Sequence, residues 1–206
     1  MIAVVDYGVG NLFSLAASLK HLGMDSIVTG EPAQLQAASH VILPGVGAFG
    51  DAMDKLRDAH LADVLRDLAG AGKPLLGICL GMQLLFDRSL EYGDHQGLGL
   101  LRGVVSPLRG EVPAGVKVPQ IGWNALRIHD AGEPLLRDTA PGTCVYYLHS
   151  FYAKGCEGSV KADSEYGGVW VPGLVRRDNV CGTQFHPEKS GDAGLAMLRA
   201  FGEMKQ

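Results

Sequence analysis

Residues 73–86 read KPLLGICLGMQLLF. The apolar run ending at Ile78 is too continuous for a strand with one wet face and reads as a strand buried on both sides. It meets Cys79 and passes, without a spare residue, into a helical pattern over residues 80–86. G-x-C-x-G at such a junction is the thiol counterpart of the G-x-S-x-G nucleophile elbow. Gly77 and Gly81 flank the cysteine because a turn this sharp leaves no room for side chains between strand and helix. The turn projects the sulfur outward, and the helix N-terminus favours the thiolate, of which an ordinary thiol of pKa ~8.5 holds only about 3% at neutral pH. The backbone N–H of Leu80 is placed to stabilise an oxyanion. Cys144, Cys156 and Cys181 lack such flanking glycines and read as structural.

Outward from this stretch, short apolar runs alternate with helical patterns: strands over residues 1–5, 25–28, 41–43 and 74–78, helices over 12–22, 59–71 and 80–86. This alternation predicts an α/β fold with a mostly parallel central sheet covered by helices on both faces. The second half is richer in strands, over 104–108, 122–128, 145–148, 169–175 and 180–184, and closes with an amphipathic helix over 193–204. No repeat or linker interrupts it, so one domain is expected over residues 1–206. In open parallel sheets ligands bind beyond the carboxyl ends of the strands. The glycine-bearing loops 6–11, 44–50 and 77–81 fall there.

Of the 206 residues 47% are hydrophobic and 19% charged, enough for one core burying roughly 70% of the unfolded surface. The net charge of -4 offers no broad footprint for phosphate backbones or anionic membranes. Residues 1–5 are apolar, but Asp6 ends the run far short of a signal-peptide core or membrane span. The four cysteines show no C-x-x-C spacing, so free thiols and a cytoplasmic location are expected. No cofactor is implied, and no His or Cys pair has metal-ligand spacing.

A candidate base follows the apolar strand end at Val180 and Cys181, in GTQFHPEKS, residues 182–190. In extended chain, residues two apart share a face, so His186 and Glu188 can meet as imidazole and carboxylate. Pro187 biases His186 away from helix. A carboxylate on one ring nitrogen would orient the other toward the thiol. The order Cys, His, Glu differs from that of α/β-hydrolases, where the acid precedes the histidine. His21, His40, His60, His95 and His129 lack a partner pattern.

GICLGMQ together with QFHPE resembles the class I glutamine amidotransferase family. The resemblance implies a Rossmann-like (flavodoxin-like) domain that hydrolyses the glutamine side-chain amide through a γ-glutamyl thioester. Cys79 would be the nucleophile, His186 the base and then acid, and Glu188 the orienter. DYGVGN (6–11), LPGVGAFGDAM (43–53), KVPQIGWN (117–124), YYLHSFY (146–152) and HPEKSG (186–191) are similar, in order and over nearly the whole chain, to the glutaminase-subunit branch serving imidazole glycerol phosphate synthases. That branch passes ammonia to a separate (β/α)8-barrel synthase chain in histidine biosynthesis, so a heterodimer is implied. By the same resemblance Gly45, Val46 and Gly47 form the loop completing the oxyanion hole with Leu80. Gln83, His149, Ser150 and Phe151 hold the glutamine, Phe151 standing where the family commonly has tyrosine. Asn11, Gln120 and Trp123 fall at the partner interface.

Three other readings are open at this stage: a glutaminase serving a different synthase, a stand-alone cysteine hydrolase or γ-glutamyl peptidase on the same fold, and a non-catalytic module. The complete triad argues against the last.

Overall fold

The computed structural model describes residues 1–205. Its parallel strands β1 (Ile2–Val5), β2 (Ser26–Thr29), β3 (His40–Leu43) and β4 (Leu75–Ile78) are interleaved with helices α1 (Leu12–His21), α2 (Pro32–Ala37), α3 (Phe49–Asp58) and α4 (Leu61–Gly70). Every position of β1, β3 and β4 is buried, as continuous apolar runs require. Alternation sends successive residues to opposite faces. Ala3, Val5, Val41, Leu43 and Leu75 pack with α2, α3 and α4. Ile2, Val4, Ile42, Leu76 and Ile78 pack with Leu15 and Leu19 of α1 and with Met197, Leu198 and Phe201 near the C-terminus. The sheet is therefore covered on both sides.

The chain continues through α5 (Leu80–Leu84), β5 (Phe86–Ser89), β6 (His95–Gln96), β7 (Leu101–Pro107), β8 (Gln120–Ala125), β9 (Arg127–Ile128), β10 (Cys144–His149), β11 (Phe151–Lys154), β12 (Val160–Tyr166), β13 (Val169–Arg177), β14 (Val180–Thr183) and α6 (Gly191–Gly202). The eight-stranded sheet runs β2-β1-β3-β4-β14-β13-β12-β9, parallel through β14 and antiparallel beyond it. The change of direction falls at the hairpin of β13 and β14, whose two-residue turn is Asp178, with φ +55°, and Asn179; Gly167 and Gly168, with φ of +59° and +82°, make the next hairpin turn, from β12 to β13. Two smaller assemblies, β10-β8 and β11-β7-β5-β6, flank the site. Among the described residues no helix is long and apolar enough to cross a membrane.

Several elements depart from the sequence expectation. The helix expected over 80–86 ends at Leu84, and Phe86 begins a strand. Residues 122–128 divide at the buried Leu126: β8 pairs with β10, whereas β9 joins the large sheet. Helices α2 and α3 and strands β11 and β12 were not expected. Buried Phe49, Ala52, Met53 and Leu56 have helical spacing in α3, but the surrounding glycines read as loop. Strand β12, VKADSEY, buries Asp163 and Ser164, and no local apolar alternation announces it.

Candidate active site

Strand β4 ends at Ile78 and α5 starts at Leu80, so the whole change of direction falls on Cys79, with φ 55° and ψ -110°. Non-glycine residues rarely hold positive φ, and the surroundings must over-determine it. They do. A Cβ on Gly77 would lie 2.5 Å from the carbonyl oxygen of Gly81, and one on Gly81 would lie 1.9 Å from that of Leu43. The Cys79 N–H extends the sheet by donating to Thr183 O at 2.7 Å. Cys79 is buried but lines a cavity of about 290 Å³.

His186 leaves the end of the neighbouring strand β14. Its N–H donates to Tyr146 O, and its carbonyl accepts from Ser190 Oγ, which in turn accepts from Tyr146 N–H. These bonds fix the start of a 3-10 turn over Pro187–Lys189. His186 and Glu188 therefore meet across a tight turn and not along extended chain, which corrects the sequence argument while keeping the contact. His186 Nδ1 donates to Glu188 Oε1 at 2.8 Å, with both side chains almost wholly buried. The other nitrogen, Nε2, is buried without a conventional hydrogen bond. Burial opposes a charge on the ring, but attraction to Cys79 and the hydrogen bond to Glu188 outweigh it and push the His186 pKa up to about 9.

The cavity brings together most of the residues expected to hold substrate: Val46, Gly47, Leu80, Gln83, His149, Ser150 and Phe151 surround Cys79 and His186. His149 Nδ1 donates to Phe151 O at 2.9 Å, while Nε2 has no partner. Burial, helped by the charge of His186, lowers the His149 pKa to about 4, so the ring is neutral. The Gln83 amide nitrogen is committed to Phe151 O and to Gln184 Oε1. Gly45 lies behind the nucleophile turn, where a Cβ would sit 2.8 Å from Gly81 N. Asn11 caps α1 and lines a small crevice against His186 and Glu188. Gln120 is fully buried and bonded to Asn124, so the partner-facing reading of its segment rests on its neighbours. Trp123 and Ile121 are 56% and 59% exposed.

Three site residues escaped the sequence reading. Gln184 donates to Cys79 Sγ at 3.7 Å, and its two-residue spacing from His186 at the end of β14 was the available signal. Glu91 and Tyr92 line the cavity. Glu91 is buried and accepts from Phe49 N–H at the start of α3, and burial raises its pKa. A turn brings these two in from β5, and no motif marks it. A larger cavity of about 570 Å³ lies elsewhere, but its buried charge, Asp163, is already held by Arg127 and His129.

A family model described as glutamine amidotransferase class-I matches residues 3–203. The chain belongs to the class I glutamine amidotransferase family. It is 47% identical to "Imidazole glycerol phosphate synthase subunit HisH" of Oceanobacillus iheyensis, over 99% of each chain. It is 52% identical to the protein of the same name from Geobacillus thermodenitrificans, over 98% of this chain and 94% of the relative, and so falls among the HisH subunits of the family. Among solved structures, one described as "Crystal structure of glutamine amidotransferase" superposes with a TM-score of 0.75 at 22% identity, covering 98% of this chain and 100% of the other. The PurLQS structure from Thermotoga maritima gives 0.75 at 21% identity, over 97% and 96%. At such identities the likeness is one of fold.

Proposed function

We propose that this chain hydrolyses glutamine with Cys79, His186 and Glu188 and delivers the ammonia to a separate (β/α)8-barrel synthase subunit that makes imidazole glycerol phosphate in cytoplasmic histidine biosynthesis. The observation that carries the reading is a cysteine held at positive φ on a strand-to-helix turn beside a histidine whose far nitrogen is bonded to a buried carboxylate. In the reaction His186, protonated because its pKa is raised to about 9, holds the proton on Nε2 while Sγ attacks the side-chain amide carbon as thiolate. The oxyanion forms against the N–H of Leu80 and a donor from residues 46–47. When the C–N bond breaks, His186 returns the proton to the departing ammonia. His186 then takes a proton from water, whose oxygen attacks the thioester, and glutamate and the free thiol result. Gln184 places an amide N–H 3.7 Å from the sulfur and helps hold it in the cavity. His149, Ser150 and Phe151 hold the amino-acid head, with Glu91 positioned to accept from its ammonium.

The interface reading is supported by alternation in β8 and β10. Ile121 lies opposite Leu148, and Trp123 opposite Tyr146, giving the ribbon an apolar outward face. Leu148 also lines the Cys79 cavity, so the same ribbon touches both sites.

The test is Cys79→Ala assembled with the barrel synthase. Glutamate release and glutamine-driven synthesis should be lost while ammonia-driven synthesis stays at the wild-type level; residual glutaminase above a few per cent would remove Cys79 from the mechanism.

A further inference from the structure

Tyr7, immediately beyond β1, is buried, and its hydroxyl donates to the carbonyl of Pro44 at 2.8 Å. Burial, and then the charge of Cys79, raises its pKa, so the hydroxyl is a donor at every working pH. Its partner opens the loop 44–47 above the nucleophile. The first half of that loop is wedged from two sides. A Cβ on Gly10 would come 3.2 Å from the Pro44 ring, and one on Gly45 would come 2.9 Å from the Tyr7 hydroxyl. The second half is loose: Val46 is 44% exposed, and Gly47, with φ +98°, has nothing within 4 Å of where a Cβ would be. The loop thus has a clamped end at Pro44 and Gly45 and a free end at Val46 and Gly47, and the free end lines the cavity with Cys79.

We propose that Tyr7 is a positioning residue for the oxyanion donors: by holding the Pro44 carbonyl it fixes the clamped end of the loop and so sets where the 46–47 N–H groups sit over the cavity. The inference rests on the amidotransferase reading above. The hydroxyl does not touch substrate; it fixes where the donor sits in the transition state, so its loss acts on kcat more than on KM.

The test is Tyr7→Phe in the complex with the barrel synthase. This change keeps the ring and removes only the hydroxyl. Glutaminase kcat should fall about ten-fold, less than the 100- to 1,000-fold loss of a whole oxyanion donor, with KM for glutamine within about two-fold of wild type. Alkylation of Cys79 by iodoacetamide, a displacement at saturated carbon that forms no oxyanion, should be unchanged. Ammonia-driven synthesis should be unchanged too, which reports intact folding and assembly. A kcat within two-fold of wild type would overturn the inference. So would alkylation that falls in step with kcat, because Tyr7 would then act on the thiol. A wild-type complex that releases no glutamate would overturn the amidotransferase reading and this inference with it.

Discussion

Nδ1 of His186 lies 2.8 Å from Oε1 of Glu188, and the two side chains are only 3% and 4% exposed. One carboxylate thus fixes the ring's tautomer and orientation out of contact with water. The proposed mechanism gives the two residues unequal roles, since one would move the proton and the other orient the mover. His186→Ala should reduce glutamine hydrolysis to the level of Cys79→Ala. Glu188→Gln should leave partial activity, above that of His186→Ala, because its amide oxygen can still accept from Nδ1. Steady-state glutamate release on the assembled complex measures both, and a more damaging Glu188→Gln would reverse the assignment.

The pair also predicts a pH dependence of stability. The folded pKa of His186, about 9, lies above the ordinary ~6.5. The folded state therefore binds this proton more tightly, and the resulting stability is complete below ~6.5 and lost as pH rises through 9. Thermal midpoints from pH 6 to 10 should show the wild type losing its margin over Glu188→Gln. A margin constant with pH would contradict this coupling.

His149 has the opposite sign. Its pKa, lowered to about 4 by burial, means its contribution is present above ~6.5 and lost as pH falls toward 4. His149→Gln should flatten the acid limb of the thermal profile. An acid limb as steep as wild type would assign the loss to other groups.

Gly81→Ala should be far more damaging than an ordinary surface change. Its Cβ would meet backbone, Leu43 O at 1.9 Å, with no side chain able to move aside. A loss of about 3 kcal/mol or more is expected, against less than about 0.5 for Gly115→Ala, which meets nothing within 4 Å. Denaturant midpoints compare them.

Trp123→Ala should leave folding intact, because the indole is more than half exposed and packs edge-on against Tyr146. Binding of the barrel synthase should weaken by about 2 kcal/mol, roughly 30-fold in Kd. Titration calorimetry of the two chains gives the number directly, and unchanged affinity would move the interface away from the ribbon.

The elbow at Cys79 was readable from sequence because it is a local object: two glycines, a cysteine and the junction of a strand with a helix all fall within five residues. The strands that form the parallel core were readable for the same reason, as continuous apolar runs. The contact of His186 with Glu188 was expected, but its geometry was not, since the turn that makes it depends on Tyr146 and Ser190, which hold the backbone of His186 from outside.

By itself, then, the sequence determined the α/β core and the identity of the triad candidates, each encoded in neighbouring residues or in continuous apolar runs. Tertiary structure alone decided which side chains distant in sequence meet. Strand β14 pairs with β4 and brings His186 and Gln184 to Cys79 from more than 100 residues away. The turn after β5 brings in Glu91, and β1 brings Tyr7 under Pro44. No local pattern carries these contacts, because they are set by strand order in the sheet and by glycines whose missing side chains let one backbone lie against another.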